Sequence, residues 1–326
     1  MTHKNFFTFK ADTNYKLGFL MGQRFSNEAQ KAILTTEKDN WENKLNMGKK
    51  LLDITQKYFP QFIGELKGYA TGAGVNFLDL WTISIEADAE TDNSAKCTNI
   101  ITNEGKLIGH NEDAEKIGLE NSVCIVKKTL RDITTLEIYY YNTLGGNSVG
   151  VSSFGYAHAL NTLFFTGNKL GIPKNVIARY LLETNNPDEA IKKVLDFPRA
   201  SGYNHNIVSE DGKIWNLELT VDKGVFTNPT SPFVHSNHCL NIESNLSDAY
   251  GTISRLKFAQ DNTKSKMAVN ELIELQEDTS KGSNNSLFNE RTIGKMIIDF
   301  ETKIAKVWLL REKEAGWVDY LLDFII

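Results

Sequence analysis

Three cysteines, Cys97, Cys124 and Cys239, are the nucleophilic thiols of this 326-residue chain. Cys97 follows the polar stretch 91–96 and opens an apolar stretch typical of a β-strand. If the Lys96–Cys97 bond were cut, Cys97 would become an N-terminal residue carrying both a thiol and an α-amine. The amine, with a reference pKa of about 7.7–8.0, can accept the thiol proton near neutral pH. On position alone a small buried hydrophobe is the simpler interpretation, and it is the one we give to Cys124 and Cys239.

A second polar segment, GHNED at 109–113, favours a nucleophilic role for Cys97 over a packing role. The residues 103–105, Asn-Glu-Gly, predict a hairpin turn between strands over 97–101 and 106–110. In that hairpin residue 97 lies opposite a residue near 111, so Asp113 would lie near Cys97. A carboxylate there can hold the new ammonium group and tune its pKa. Cys97 and Asp113 together form a plausible nucleophilic site.

These residues need a scaffold, and the apolar periodicity predicts one. Helical periodicity covers roughly the first 90 residues, including a helix in which Gly18 and Gly22 allow close packing, and strand periodicity begins near residue 91. Further hairpins are predicted at 123–128 with 134–141, 149–153 with 156–160 and 295–300 with 304–310. Other strands are predicted at 206–209, 214–219 and 232–236, and other helices at 39–58, 173–197, 247–260 and 269–277. The pattern favours antiparallel sheets covered by helices in one compact unit.

Composition excludes several classes of protein. The formal net charge is −5 and the charged share is 24%, so there is no basic excess of the kind that nucleic-acid binders carry. No apolar run approaches the roughly 18 residues of a membrane span, and the N-terminus does not resemble a secretory signal. Three cysteines make no disulfide framework. We therefore expect a reduced, cytoplasmic setting.

Several short segments occur in an order that covers nearly the whole chain. They are the helix with Gly18 and Gly22, Cys97-Thr98, Gly109-x-Asn111-x-Asp113, Ala159-Leu160-Asn161, the strand pair from Asn206 to Glu218, His235-Ser236-Asn237-His238, and Thr252-x-x-Arg255. This series resembles the acyl-coenzyme A:6-aminopenicillanate acyltransferase family, which is related to the choloylglycine hydrolases and acid-ceramidase-like amidases. All are autoproteolytic N-terminal-nucleophile (Ntn) hydrolases.

The resemblance implies an α+β fold, a four-layer αββα sandwich of two antiparallel sheets covered by helices. It also implies a division at the Lys96–Cys97 bond. Residues 1–96 would be a helical leader, which cleavage would separate from the rest of the chain but which would stay bound to it. Residues 97–326 would be the catalytic body.

The resemblance also implies roles for single residues. Asn237 would hold the oxyanion together with a backbone N–H, and Asn161 would supply a second donor or position the Cys97 amine. Arg255 would pair with a carboxylate and set the charge of the site. Supporting or substrate-contacting positions are expected at Thr98, His110, Asn111 and Glu218. His110 stands where some relatives carry arginine.

The expected activity is that of an amidohydrolase or acyltransferase. Cys97 would attack an N-acyl amide or an acyl thioester, with acyl-coenzyme A as one candidate substrate, and would form an acyl-Cys97 intermediate. We expect no cofactor and no metal. His235 and His238, three residues apart at a strand end without an evident third ligand, are given a structural role.

Two alternatives remain open. One is a papain-like cysteine hydrolase with an internal Cys97 and a histidine base, which the strand-opening position of Cys97 disfavours. The other is a non-catalytic protein of the same fold that binds an acyl ligand. Each resembling residue, taken singly, also has an ordinary structural interpretation.

Overall fold

The computed structural model describes residues 2–35, 40–85, 97–114, 118–164, 167–243, 251–283 and 285–325. Within them the strands form two sheets. The larger sheet contains, in spatial order, β1 (Phe6–Ala11), β4 (Val123–Leu130), β5 (Ile133–Tyr140), β6 (Val149–Ser152), β7 (Tyr156–Thr162), β8 (Tyr203–Ser209), β9 (Ile214–Leu219) and β10 (Gly224–Thr227). The smaller sheet contains β11 (Phe233–His235), β2 (Thr98–Thr102), β3 (Leu107–Asp113), β12 (Thr292–Asp299), β13 (Ile304–Leu309) and β14 (Val318–Leu321).

The described helices fall into two groups. Those that cover the larger sheet are α1 (Asn14–Arg24), α2 (Ser26–Thr35), α3 (Trp41–Tyr58), α4 (Pro60–Ala73), α5 (Phe77–Ser84), α6 (Lys174–Leu182) and α7 (Pro187–Asp196). Those that cover the smaller sheet are α8 (Thr252–Asn262) and α9 (Val269–Gln276). None of the helices in the described ranges is long and apolar enough to cross a membrane.

Three apolar cores define the layers. The first joins the outer face of the larger sheet to its helices, for example Cys124 and Ile207 to Leu66. The second lies between the sheets, where Ile108 and Ile138 meet. The third joins the smaller sheet to α8 and α9. The chain is therefore an α+β four-layer αββα sandwich, as expected, and each sheet buries both faces.

The hairpins predicted from turn residues are present. β2 pairs with β3, β4 with β5, β6 with β7, and β12 with β13, all antiparallel. The turn Asn103–Gly105 joins β2 to β3 with a left-handed backbone at all three positions. Asp39 and residues 247–250, which begin two predicted helices, lie outside the described residues.

The expectation that the first 90 residues are all helical is wrong. Residues Phe6–Ala11 form β1, which pairs in parallel with β4 so that Phe6 lies opposite Ile125. The apolar Phe-Phe-Thr-Phe run can enter a sheet because β4 presents an unpaired edge. Its partner is more than a hundred residues away, so no local turn marks this strand.

Close packing of α1 on α4 explains Gly18 and Gly22. A Cβ on Gly18 would lie 1.8 Å from the carbonyl oxygen of Glu65, and one on Gly22 would lie 2.0 Å from that of Tyr69. Gly68 on the facing helix makes the reciprocal contact with the carbonyl of Tyr15. Backbones this close exclude any side chain at the crossing.

Candidate active site

Cys97 lies immediately before β2 and is 2% exposed. Its Sγ is 3.9 Å from the backbone oxygen of Asp113, a donor–acceptor contact across the β2–β3 hairpin. In the observed register Thr98 lies opposite Asn111, so the hairpin brings Cys97 beside the 109–113 segment as the sequence suggested.

The carbonyl oxygen of Cys97 is held by two side chains from distant elements. Asn161, on β7 of the other sheet, donates through Nδ2 at 2.9 Å. Arg255, on α8, donates through Nη1 at 3.4 Å and also to the Thr98 hydroxyl at 2.7 Å. The backbone carbonyl of the candidate nucleophile is therefore held by the larger sheet and by the helix that covers the smaller sheet.

Asn237 does not contact Cys97 directly, and Arg255 lies between them. Its Oδ1 accepts from Arg255 Nη2 at 2.8 Å, while its Nδ2 donates to the carbonyl of Thr162 at 2.8 Å. The Thr252 hydroxyl accepts from the Asn237 backbone N–H at 2.9 Å. Asn237 therefore reaches Cys97 through Arg255, and in this arrangement its amide hydrogens are engaged with Thr162.

Asp113 is buried and its carboxyl group is fixed by two donors. Thr292 Oγ1 lies 2.6 Å from Oδ1, and Asn289 Nδ2 lies 2.7 Å from Oδ2. Burial raises the pKa of Asp113 above its ordinary value, although the charge of Arg255 and these two hydrogen bonds oppose the shift. The carboxyl group is thus held in place, close enough for its charge to act on the Cys97 thiol.

The surroundings of the Cys97 thiol keep it protonated. Burial raises its pKa well above the ordinary value, and the negative charges of Glu112 and Asp113 add to this effect. A hydrogen bond to the Asp113 backbone and the positive charge of Arg255 act in the opposite direction but do not cancel it. Cys97 therefore needs a further base or cation before it can act as a thiolate.

Burial also lowers the thiolate fraction of the other two cysteines. It raises the pKa of Cys124, which lies in the core between the larger sheet and its helices. It raises the pKa of Cys239, which is only partly buried, to about 12, and the charge of Glu218 contributes. Neither thiol belongs to the group around Cys97.

A network of asparagines orients Asn161, and the sequence did not reveal it. Asn99 Nδ2 and Asn204 Nδ2 both donate to Asn161 Oδ1, at 2.8 and 3.2 Å. Asn216 Nδ2 in turn donates to Asn204 Oδ1 at 2.6 Å. With its oxygen committed, Asn161 must turn its amide hydrogens towards Cys97. Alternation along β8 places Asn204 on the inner face, and this spacing is the signal that could have revealed it.

Glu112 is a second centre that sequence reasoning passed over, although it lies in the quoted GHNED segment. It accepts from His110 Nε2 at 2.7 Å, from the Tyr140 hydroxyl and from the Ser148 hydroxyl. The other ring nitrogen of His110 contacts Asn99 Oδ1. A sulfur of Cys97, a ring nitrogen of His110 and a carboxylate oxygen of Glu112 all lie within 4.8 Å of one another.

Two of the expected site residues serve elsewhere. Asn111 binds Gln276 and the carbonyl of Leu287, which ties β3 to the covering helix layer. Glu218 accepts from His235 Nε2 at 3.2 Å and from the backbone N–H groups of residues 240–242. Burial alone would raise the pKa of Glu218, but these hydrogen bonds outweigh it and lower the pKa.

His235 and His238 face different partners. His235 faces Glu218, whereas His238 Nδ1 lies 2.9 Å from the Thr252 hydroxyl. The two rings therefore support the loop that carries Asn237. Lys96, the residue before the candidate nucleophile, lies outside the described residues.

Comparison with known proteins supplies the family. The family model described as acyl-coenzyme A:6-aminopenicillanic acid acyl-transferase matches residues 101–314. The chain belongs to this family. The matched stretch contains Asp113, Asn161, Asn237 and Arg255, and Cys97 lies just before it. The resemblance to this family seen in the sequence is confirmed.

A curated relative is the beta-alanyl-dopamine/carcinine hydrolase of Drosophila melanogaster, which is 25% identical over 215 residues. The match covers 56% of this chain and 55% of the relative, so this chain spans about half the length of that protein.

Two solved structures show partial likeness to this member of the acyltransferase family. One is a mutant of the conjugated bile acid hydrolase from Clostridium perfringens, with a TM-score of 0.45, 13% identity and coverage of 70% of this chain and 92% of that chain. The other is penicillin V acylase from Agrobacterium tumefaciens, with a TM-score of 0.41, 14% identity and coverage of 66% of this chain and 83% of that chain.

Proposed function

We propose that this protein is a cysteine Ntn amidohydrolase or acyltransferase that acts on a small N-acyl amide or acyl thioester. The observation that carries the proposal is the position of Cys97. It stands directly before β2 with its thiol on the Asp113 backbone and its carbonyl between Asn161 and Arg255. A residue whose thiol and carbonyl are both held in place at the start of a strand is suited to act as a new N-terminal nucleophile.

The proposed chemistry starts with a proton transfer. The freed α-amine of Cys97 takes the thiol proton, and the thiolate attacks the substrate carbonyl to form an acyl-thioester on Cys97. The leaving amine or thiol takes the proton from the Cys97 ammonium. Water then releases the acyl group as an acid, or an acceptor amine takes it. Asn237 is the expected oxyanion donor, with Arg255 beside it, and it must first exchange its bond to Thr162.

Self-activation follows the same steps within the chain. The Cys97 thiol attacks the Lys96 carbonyl, the peptide nitrogen leaves as the new α-amine, and water hydrolyses the resulting thioester. Donation from Asn161 and Arg255 to the Cys97 carbonyl fixes the peptide unit that follows the cut bond. This positioning supports the proposal of cleavage between Lys96 and Cys97.

Contacts between residues 1–96 and the body support a leader that stays bound after the cut. β1 pairs with β4 along six residues. Glu65 forms a buried ion pair with Arg179, at 2.9 Å, and the carbonyl of Ser84 accepts from Asn175. These contacts join elements on either side of the proposed cut without passing through it.

The test combines intact mass with a substrate panel. Purified protein should give two masses that sum to the full chain plus one water, and the larger fragment should begin with Cys97. The panel should contain β-alanyl-dopamine and carcinine, after the curated relative, together with acyl-coenzyme A and 6-aminopenicillanate, after the family. Two fragments without turnover of any amide or thioester would favour a ligand-binding role.

The proximity of His110 and Glu112 to the thiol supports one second candidate, a hydrolase in which Cys97 stays internal and His110 is its base. A thiol, an imidazole and a carboxylate are the groups of a cysteine-hydrolase triad. Turnover by a single uncut chain, lost in His110→Gln, would favour this candidate over the Ntn mechanism.

A further inference from the structure

Cys97, His110 and Glu112 have a second chemical property in common besides reactivity. A thiolate, an imidazole and a carboxylate are the three ligand types that proteins use for Zn²⁺. Their ligand atoms already lie within 4.8 Å of one another, and the three residues are buried, with only 2%, 0% and 4% of their surface exposed. We propose that Cys97, His110 and Glu112 form a binding site for Zn²⁺ or a similar divalent transition metal, and that the bound ion masks the nucleophile.

The contacts around the three ligands are those that a metal site requires. Asn99 Oδ1 faces His110 Nδ1, so the Nδ1–H donates there and Nε2 is the nitrogen that faces the metal. The Tyr140 hydroxyl holds Glu112 Oε1, and the Ser148 hydroxyl holds Oε2, the oxygen that faces His110 and would bind the ion. Partners of this kind fix the tautomer and direction of ligating side chains.

The charge balance also favours a dication. Burial and the negative charges of Glu112 and Asp113 make a bare thiolate of Cys97 unfavourable, and the positive charge of Arg255 opposes this only in part. A divalent ion reverses that penalty because it binds the thiolate directly and neutralises its neighbours. On binding, the metal–sulfur bond replaces the S–H bond, and that proton leaves to solvent.

The required movement is small. Around tetrahedral Zn²⁺, with bonds of about 2.0–2.3 Å, ligand atoms stand roughly 3.3–3.7 Å apart. The sulfur must therefore approach by at most about an ångström, and the 2.7 Å gap between His110 Nε2 and Glu112 Oε2 must open by about half that. Water, or the α-amine of Cys97 after cleavage, would complete the coordination. No sequence motif predicts this site, because its three ligands are brought together by the β2–β3 pairing.

The direct test uses Co²⁺, which reports thiolate ligation by a charge-transfer band in the near ultraviolet. Full-length protein is titrated with CoCl₂, and Zn²⁺ is then added as a competitor. We expect one equivalent of Co²⁺ to give the band and Zn²⁺ to abolish it. Cys97→Ser, which preserves size, should lose the band. His110→Gln and Glu112→Gln should weaken binding by at least tenfold, with circular dichroism showing that each is folded.

Matched controls are Cys124→Ala, which removes a buried thiol from the core between the larger sheet and its helices, and His3→Gln, which removes a buried imidazole that contacts Tyr320. Both should bind like wild type. No band in folded wild-type protein, or a band that persists in Cys97→Ser, would overturn the proposal. An undiminished affinity in both His110→Gln and Glu112→Gln would overturn it as well.

The masking of the nucleophile rests on the proposed function, so it is tested by a separate measurement from metal binding. Zn²⁺ should protect Cys97 from iodoacetamide and should stop turnover, and a chelator should restore both. Protection without any turnover to inhibit would support the metal site and count against the enzyme. Turnover that Zn²⁺ leaves unchanged would support the enzyme and overturn the masking.

Discussion

Arg255 Nη2 donates a 2.8 Å hydrogen bond to the amide oxygen of Asn237. Because a guanidinium group only donates, the oxygen of Asn237 must face Arg255 and its amide hydrogens must face away. The same guanidinium contacts the carbonyl of Cys97 through Nη1. One buried cation thus determines the orientation of the expected oxyanion donor and holds the residue expected to attack.

Removal of the Asn237 amide hydrogens should slow the chemical step. Asn237→Asp keeps an oxygen for Arg255 but loses the donor, so kcat should fall on the order of 10²–10³-fold with a smaller change in KM. Steady-state kinetics on a panel substrate measure this, and the exposed Asn262→Asp is the matched control. Wild-type kcat in folded Asn237→Asp would remove Asn237 from the oxyanion site.

Replacement of the nucleophile should prevent processing. Cys97→Ala should remain a single chain by intact mass, whereas Cys124→Ala should be cut like wild type, because Cys124 lies in the core outside the active-site group. N-terminal sequencing of the larger wild-type fragment should begin at Cys97. A Cys97→Ala chain still cut at that bond would mean that another protease is responsible.

Thiol labelling should report the state of the chain. In an uncut chain Cys97 is buried with a raised pKa, so iodoacetamide should modify Cys239 first. With a pKa near 12, the thiolate fraction of Cys239 should rise about tenfold per pH unit between about pH 7 and 9. After self-cleavage the new ammonium group beside Cys97 should make it the first site. Peptide mapping decides the order, and initial labelling of Cys124 would contradict it.

A stacked histidine pair should make stability depend on pH. His158 and His205 are buried with ring centroids 5.3 Å apart, and burial lowers the pKa of His158 to about 3 and that of His205 well below 6.5. Between about pH 6.5 and 3 the unfolded chain binds more protons, so stability falls as pH falls. The limiting slope is about 1.4 kcal/mol per pH unit for each histidine.

Substitution of one member isolates this effect. The melting temperature of wild type should drop from pH 7 to pH 5 by more than that of His158→Gln, because the variant has one fewer buried imidazole to protonate on unfolding. Equal drops in the two proteins would assign the acid sensitivity to other groups. Above pH 7 both histidines are neutral in the folded and in the unfolded chain, so the difference in melting temperature between the two proteins measured there serves as the baseline.

The ion pair between Glu65 and Arg179 should hold the leader to the body. Arg179→Met leaves the Glu65 carboxylate buried without its cation, a loss of about 3–5 kcal/mol in a typical buried pair. The processed variant should release its leader at lower urea in size-exclusion chromatography. Lys193→Met breaks an exposed pair with Glu189 and should change nothing. Equal release from both variants would contradict this role.

Local sequence features predicted local structure well. The Asn-Glu-Gly turn specified the β2–β3 hairpin, and with it the approach of Cys97 to Asp113. The spacing of Gly18 and Gly22 specified a close helix crossing, although it did not identify α4 as the partner. In each case the determining residues lie within a few positions of one another.

Features that depend on distant segments could not be predicted in the same way. β1 owes its conformation to the free edge of β4, and nothing within the first twelve residues encodes that edge. The orientation of Asn161 depends on amides from three other strands. Glu112 alternates onto the inner face of β3, but its partners Tyr140 and Ser148 come from the opposite sheet.

The parallel pairing of β1 with β4 has a consequence for the life of the molecule after the proposed cut. Before cleavage, β1 finds its place as part of one polypeptide, so folding is unimolecular. After cleavage, β1 and β4 belong to separate polypeptides, and a molecule that unfolds must find its leader again by diffusion. The processed form should therefore refold at a rate proportional to protein concentration, and dilution should lower both its refolding rate and its stability.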